Sequence, residues 1–200
     1  WLHETPVFRQ MQQRKALAEK LPLQTILASH KRGIAVSMLL TWLLSACIVV
    51  VILMAPTLMQ KQHGVPAALS LQANSFATVM LLIGCVLAGW IVDRYGAART
   101  LLIGSLLLAL CSWSFFQQLG GTPQMLFIWY GLAGLSVGVV GVVPFVMVRA
   151  FPAAVRFTGI SFSYNVSYAI FGGLTPISVT LMMSLTPMAP AWYVLALALI

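Results

Sequence analysis

The chain has almost no acid. Of its 200 residues only Glu4, Glu19 and Asp93 are acidic, against eleven Lys and Arg, and charged residues of both signs make up 7 %. Soluble domains carry about 25 % charge, so a solvated globular surface is excluded. Cysteine and histidine are as scarce, with three of each. Cys47, Cys85 and Cys111 sit inside apolar runs without disulfide or metal-ligand spacing. No metal site and no cofactor are expected. No acid pair, nucleophile–histidine pair or phosphate-cradling glycine loop of Walker type occurs, which argues against an enzyme and against an ATP-driven machine. His63 is read as a solvated histidine of an outer loop, beside Lys61.

What the chain does have is apolar length. Sixty per cent of residues are hydrophobic and the mean hydropathy is +0.97. A hydrocarbon core about 30 Å thick takes about 20 apolar residues of helix. Runs of that length occupy 34–59, 70–92, 97–116, 124–148 and 157–185, and a sixth begins near Ala191 and stops at Ile200. Ten residues of helix reach only about 15 Å. Since the chain also starts at Trp1 instead of Met, the expectation is a fragment with an incomplete last span.

The formal charge of +8 invites a nucleic-acid reading, but the distribution of that charge points to topology. Arg9, Arg14, Lys15, Lys20, Lys31 and Arg32 precede the first run, Arg94 and Arg99 separate the second from the third, and Arg149 and Arg156 separate the fourth from the fifth. Only Lys61 falls in the other set of connectors, and 117–123 and 186–190 carry no charge. The positive-inside rule makes the basic side cytoplasmic. Residues 1–32 are then a cytoplasmic arm, with a short surface helix expected over 10–20 and an interfacial stretch over 21–28. The partners are the lipid bilayer and a small molecule, not nucleic acid.

Two local signals mislead. Leu44-Ser45-Ala46-Cys47 follows Lys31-Arg32 and an apolar stretch, like a lipoprotein signal, but a polar arm precedes it and the apolar run continues past it. Asn165-Val166-Ser167 fits a glycosylation acceptor but lies inside a span.

Several patterns are candidates for function. Gly131, Gly134, Gly138 and Gly141 form a small-residue face on the fourth run, suited to close helix packing. Gly172, Gly173 and Pro176 interrupt the fifth, and breaks of this kind occur where transporters bind substrate. Ser161, Tyr164, Asn165 and Tyr168 share one helix side. They read equally as a face toward a polar substrate and as interhelical hydrogen-bonding residues. Thr41, Trp42 and Ser45 form a weaker face, and Trp129 and Tyr130 suit an interfacial aromatic belt. Asp93, framed by Gly89, Arg94, Gly96 and Arg99, reads either as part of a conformational latch or as a solvated hairpin turn.

Gly89-x-x-x-Asp93-Arg94-x-Gly96-x-x-Arg99 resembles the loop signature of the major facilitator superfamily, found between the second and third helices of each six-helix half. Phe151-Pro152-x-x-x-Arg156-Phe157-Thr158-Gly159 and Ser161-x-Ser163-Tyr164-Asn165 are similar to elements of its metabolite:proton symporter branch, which includes proline/betaine, shikimate, citrate and 2-oxoglutarate carriers. So are Gly172-Gly173-Leu174-Thr175-Pro176 and, at the start, Leu2-His3-Glu4-Thr5-Pro6. The chain departs from the pattern at Ala97-Ala98, at Arg149, where relatives often carry an acid, and at Ala153-Ala154.

The resemblance implies an all-α integral membrane fold: the six-helix C-terminal half of a transporter in a bacterial inner membrane, its last helix truncated, with 1–32 as the central cytoplasmic loop. It implies a latch of Gly89, Asp93, Arg94, Gly96, Arg99, Arg149 and Arg156, with Arg149 or a residue of an absent N-terminal half as the partner of Asp93. It implies symport of protons with a small polar metabolite such as an organic acid or betaine. No Asp, Glu, Lys, Arg or His lies in the middle of a run, so the protonation site is expected in the absent half. The alternative is a transport-inactive remnant of such a carrier.

With the native cysteines removed, Ala97→Cys and Ala154→Cys in the membrane-inserted protein should react with thiol reagents only from the cytoplasmic side. Labelling from outside overturns the topology.

Overall fold

The computed structural model describes residues 22–199, and everything described is helix or short connector. The motif at 2–6, the helix expected over 10–20 and the four basic residues Arg9, Arg14, Lys15 and Lys20 lie outside the described residues. The elements are α1 (Pro22–Ser29), α2 (Lys31–His63), α3 (Ala67–Tyr95), α4 (Ala97–Gln117), α5 (Pro123–Ala150), α6 (Arg156–Met183) and α7 (Ala189–Ala198). Five of them, α2 to α6, are long and apolar enough to cross a membrane, and α7 is a shorter apolar helix.

Helices outrun the apolar runs because a polar end keeps its backbone bonds after leaving the hydrocarbon. The connector expected over 60–69 shrinks to three residues, since α2 continues through Lys61 and His63 to end at Gly64. Two basic groups in that last turn complement the negative end of the helix dipole. Gly64 adopts φ +62°, the left-handed cap that stops the helix. Gln60 Nε2 donates to Ser70 Oγ at 2.7 Å and ties the two arms of this hairpin together.

Three spans carry an internal proline, and in each the helix turns irregular just before it. A π segment at Ile48–Met54 precedes Pro56, a 3₁₀ segment at Gly138–Val142 precedes Pro144, and a second π segment at Tyr168–Gly172 precedes Pro176. Proline has no N–H to donate and its ring collides with the carbonyl four residues back. Inside a bilayer the freed groups must be satisfied within the protein, and a local change of helical pitch does this without breaking the span. Gly172 and Gly173 stand where the second π segment returns to α-helix.

The tightest packing joins α3 to α5. A methyl group on Gly134 would fall on the Ala77 carbonyl, one on Gly84 on the Leu135 carbonyl, and one on Gly138 on the backbone of Gly84 and Cys85. Gly131 faces the Phe76 ring and Gly141 the Cys85 side chain. The glycine face of the fourth run is therefore a backbone-to-backbone contact. Gly104 extends it, bringing α4 onto Val139 of α5.

Tyr130 is a correction to the sequence reading. It is fully buried, not interfacial: its ring stacks on Phe115 at 4.3 Å, and its hydroxyl donates to Asn74 Oδ1. The hydrogen bond explains why a polar aromatic tolerates this position.

On the opposite side α6 lies against α2. Ser37, Ser163 and Ser167 are buried, and Ser167 Oγ donates to the Met38 carbonyl at 2.7 Å. α7 completes the set by packing on α4, α2 and α6, with Trp192 edge-on to Trp113 at 4.7 Å.

Gly134→Leu should lower the unfolding midpoint of the detergent-solubilised protein by the equivalent of about 1–3 kcal/mol or more, the cost of overpacking a close contact. Gly89→Ala, whose added methyl meets nothing within 4 Å, should leave the midpoint unchanged or raise it slightly. Equal loss in both variants contradicts the packing assignment.

Candidate gate loop and substrate face

The loop signature sits where α3 hands over to α4. One residue separates the helices, and it is Gly96 at φ +84°, ψ 159°. Side-chain-bearing residues rarely adopt that conformation, so glycine is what permits so abrupt a junction. Thr100 Oγ1 donates to the Gly96 carbonyl at 2.8 Å and secures the first turn of α4.

Asp93 stands exposed in the last turn of α3. A carboxylate there lies at the negative end of the α3 dipole, the end that suits cations better than anions. Among the described residues Asp93 has neither ion-pair nor hydrogen-bond partner. The side chains expected to surround it are occupied elsewhere. The Arg94 guanidinium lies 6.0 Å from the centroid of the Trp90 ring and 5.9 Å from that of Tyr95, at the outer limit of a cation–π contact. Arg149, the local partner offered by the sequence, sits 4.1 Å over the Phe145 ring. Arg156 Nε donates to the Phe151 carbonyl at 3.2 Å.

Arg156 therefore holds the turn between α5 and α6. That turn is anchored by Phe151, 2 % exposed, whose ring fills a notch formed by Gly33 and Gly159. Gly89 has open space on its Cβ side, so the close approach expected there is not made by the described residues. The structure thus gathers Gly89, Asp93, Arg94, Gly96 and Arg99 at one junction, while Arg149 and Arg156 serve the neighbouring turn.

The α6 face is partly assembled. Asn165 Nδ2 donates to the Ser161 carbonyl at 2.7 Å and reaches Ser161 Oγ at 3.4 Å. Tyr164 and Tyr168 stack at 5.5 Å with 27° between their planes. Tyr164 and Asn165 are exposed, and Ser161 and Tyr168 are half-buried. Of the two readings left open, Ser161, Tyr164, Asn165 and Tyr168 make no interhelical hydrogen bond among the described residues, whereas Ser167 and Thr175 of the same helix bond to α2 and α7. The Asn165 amide nitrogen thus bonds twice to Ser161, and its Oδ1 has no partner among the described residues.

The face proposed on α2 does not hold together. Thr41 is fully buried, donates to the Ser37 carbonyl at 2.8 Å and approaches Met147 Sδ at 3.8 Å. Ser45 is buried too and donates to the Trp42 carbonyl at 3.0 Å. Trp42 turns the other way. Its ring stacks on Phe171 at 4.2 Å and 12°, and its Nε1 donates to the Tyr193 hydroxyl at 3.1 Å. The same hydroxyl lies 3.1 Å from Thr175 Oγ1.

Trp42, Phe171, Thr175 and Tyr193 thus link α2, α6 and α7 beside the second π segment. Sequence reasoning named Trp42 in a candidate face and Thr175 within a family-like element, and missed Phe171 and Tyr193. Tyr193 lies in the short sixth run, but a tyrosine hydroxyl inside an apolar stretch was a signal of a polar partner. No group of three or more His, Cys, Asp or Glu able to hold a metal occurs among the described residues.

The family model described as Major Facilitator Superfamily matches residues 1–176. The inner membrane metabolite transport protein YhjE of Escherichia coli (strain K12) is 30 % identical over 188 residues, covering 88 % of this chain and 41 % of that protein. A citrate-proton symporter of Klebsiella pneumoniae is 30 % identical over 190 residues, 92 % of this chain and 42 % of the relative. A citrate-proton symporter of Salmonella typhi is 28 % identical over 207 residues, 99 % of this chain and 46 % of the relative. The chain spans less than half the length of each of these relatives.

Tyr193→Phe removes the hydroxyl shared by Trp42 and Thr175. It should lower stability by about 0.6–2 kcal/mol and shift the Trp42 emission, read in a variant keeping Trp42 as its one tryptophan. An unchanged midpoint and spectrum would contradict the network.

Proposed function

The chain belongs to the major facilitator superfamily, and we propose that it forms the C-terminal six-helix half of a secondary transporter that carries a small polar metabolite together with protons. It is a multi-pass membrane protein of a family whose matched relatives are transporters, not enzymes. The finer reading places it in a bacterial inner membrane with 1–32 in the cytoplasm, paired with an N-terminal half that carries the protonation site.

The observation that carries this reading is the break in α6. A π segment at Tyr168–Gly172 interrupts a membrane-length helix directly beside the exposed amide of Asn165 and the stacked Tyr164 and Tyr168. Irregular backbone at membrane depth is tolerated where it meets protein or lines a wet cavity, and discontinuous helices are where transporters of this kind bind substrate. Asn165 would donate to a carboxylate, and the tyrosine faces would receive an ammonium group. Organic acids and betaines both fit that chemistry, and the citrate-proton symporters among the relatives favour the acid.

The gate reading rests on the same family placement. Asp93, unpaired among the described residues and placed against the helix dipole, would find its stabilising partner in the opposite half in one state and lose it in the other. Alternating access then consists of the two halves rocking about the midplane site. Arg94 and Arg99 belong to this junction, while Arg149 and Arg156 support it from the next turn.

Uptake of labelled citrate and glycine betaine by cells expressing the continuous reading frame tests both parts. Asn165→Ala should raise the apparent KM about tenfold at unchanged membrane insertion. Asp93→Asn should cut the maximal rate at least tenfold with KM little changed. Transport unaffected by Asp93→Asn would refute the latch. Loss of folding alone in Asn165→Ala would restore the hydrogen-bonding role. A reading frame that encodes no further helices, with no uptake, would identify an inactive remnant.

A further inference from the structure

One cavity lies away from the polar face of α6. It is a groove of about 610 Å³ between α3 and α4, floored by α5. That lies within the roughly 300–1,000 Å³ of ordinary small-molecule pockets. Its floor exists because Gly84 and Gly104 let both helices close down on Leu135 and Val139. Its walls are apolar along their length, through Leu87, Ile103 and Leu107, all exposed. At one end it changes character: Trp90, Tyr95 and Arg99 stand at the mouth.

Length and charge identify the occupant. Along α4 the lining runs from Arg99 to Cys111, a rise of about 18 Å. The hydrocarbon core is about 30 Å thick, so the groove reaches from one membrane surface to a little past the midplane, the depth of a single leaflet. Arg99 supplies a cation at that surface, free of ion pairs among the described residues. Asp93, the nearest acid in the sequence, does not line the cavity. The aromatic rings beside Arg99 are of the kind that settles at the headgroup level.

We propose that this groove is a binding site for one anionic phospholipid. An acyl chain lies along α3 and α4 over Leu135 and Val139, and the phosphate is held by Arg99 at the junction of the loop signature. A site so placed couples the lipid to the gate, because the same one-residue turn at Gly96 joins both walls of the groove.

Trp90 is a built-in probe. In a variant keeping Trp90 as its one tryptophan, reconstituted in vesicles, phosphatidylglycerol brominated on its acyl chains should quench Trp90. The lipid concentration for half-quenching should be about fivefold lower than with brominated phosphatidylcholine, the preference expected of one basic residue at an anionic surface. Arg99→Gln should abolish that preference. Arg149→Gln, which alters a basic residue that does not line the groove and lies over Phe145, should keep it.

Gly104→Leu, whose side chain would collide with Val139 and disrupt the floor, should weaken quenching by both lipids; Leu107→Trp, in the variant lacking Trp90, offers a second probe should that protein fold poorly. Equal quenching by the two lipids overturns the proposal, as does equal loss of preference in Arg149→Gln. Absence of quenching by either lipid means that protein, a second copy or another half-bundle, covers the groove, and likewise overturns it. None of these readouts depends on transport activity.

Discussion

The backbone contact between α3 and α5 governs the rest of the molecule. Gly84, Gly134 and Gly138 meet carbonyl and backbone atoms where any side chain would collide. Within a bilayer, lipid tails solvate an apolar helix as well as another helix does, so association comes from close van der Waals packing and hydrogen bonds. Glycine provides the first, and the Tyr130–Asn74 pair the second. This contact fixes where α3 ends, and so where Asp93 and the Gly96 junction stand. It also leaves the apolar groove between α3 and α4 that Arg99 closes at one end.

A second constraint is backbone satisfaction around proline. Pro56, Pro144 and Pro176 each follow a segment of altered pitch, so three of the five long helices contain a place where the hydrogen-bond ladder is already re-routed. Two of these places face packed protein: Val49, Val50, Val51 and Ile52 are buried, as are Gly138, Val139, Val140 and Val142. The third is different, since no residue of Tyr168–Gly172 is buried. That asymmetry is why the α6 break, and not its two counterparts, sits beside an exposed polar face.

Much of this was legible in the sequence. Every long helix follows from an apolar run, and the Gly96 junction from a glycine between two such runs. The break in α6 follows from Gly172, Gly173 and Pro176. What the sequence misplaced were rotations. Tyr130 was read at an interface and is buried, and Thr41 was grouped with Trp42 yet points the other way, to Met147. Arg149 was offered to Asp93 and lies on Phe145 instead. In a soluble helix the polar face announces the outside. Here both faces are apolar, so the pattern that would show which side packs is missing.

The sequence by itself determined which segments are membrane-length helices and that their basic residues gather in alternate connectors. Both are properties of one segment at a time, set by the free energy of moving that segment from water to hydrocarbon and by the cost of carrying a charge across. The tertiary structure alone decided which faces meet, and with it the Trp42–Tyr193–Thr175 link, the burial of Tyr130 and the groove ending at Arg99. Those depend on small differences between protein and lipid as neighbours, which only the positions of all the helices together resolve.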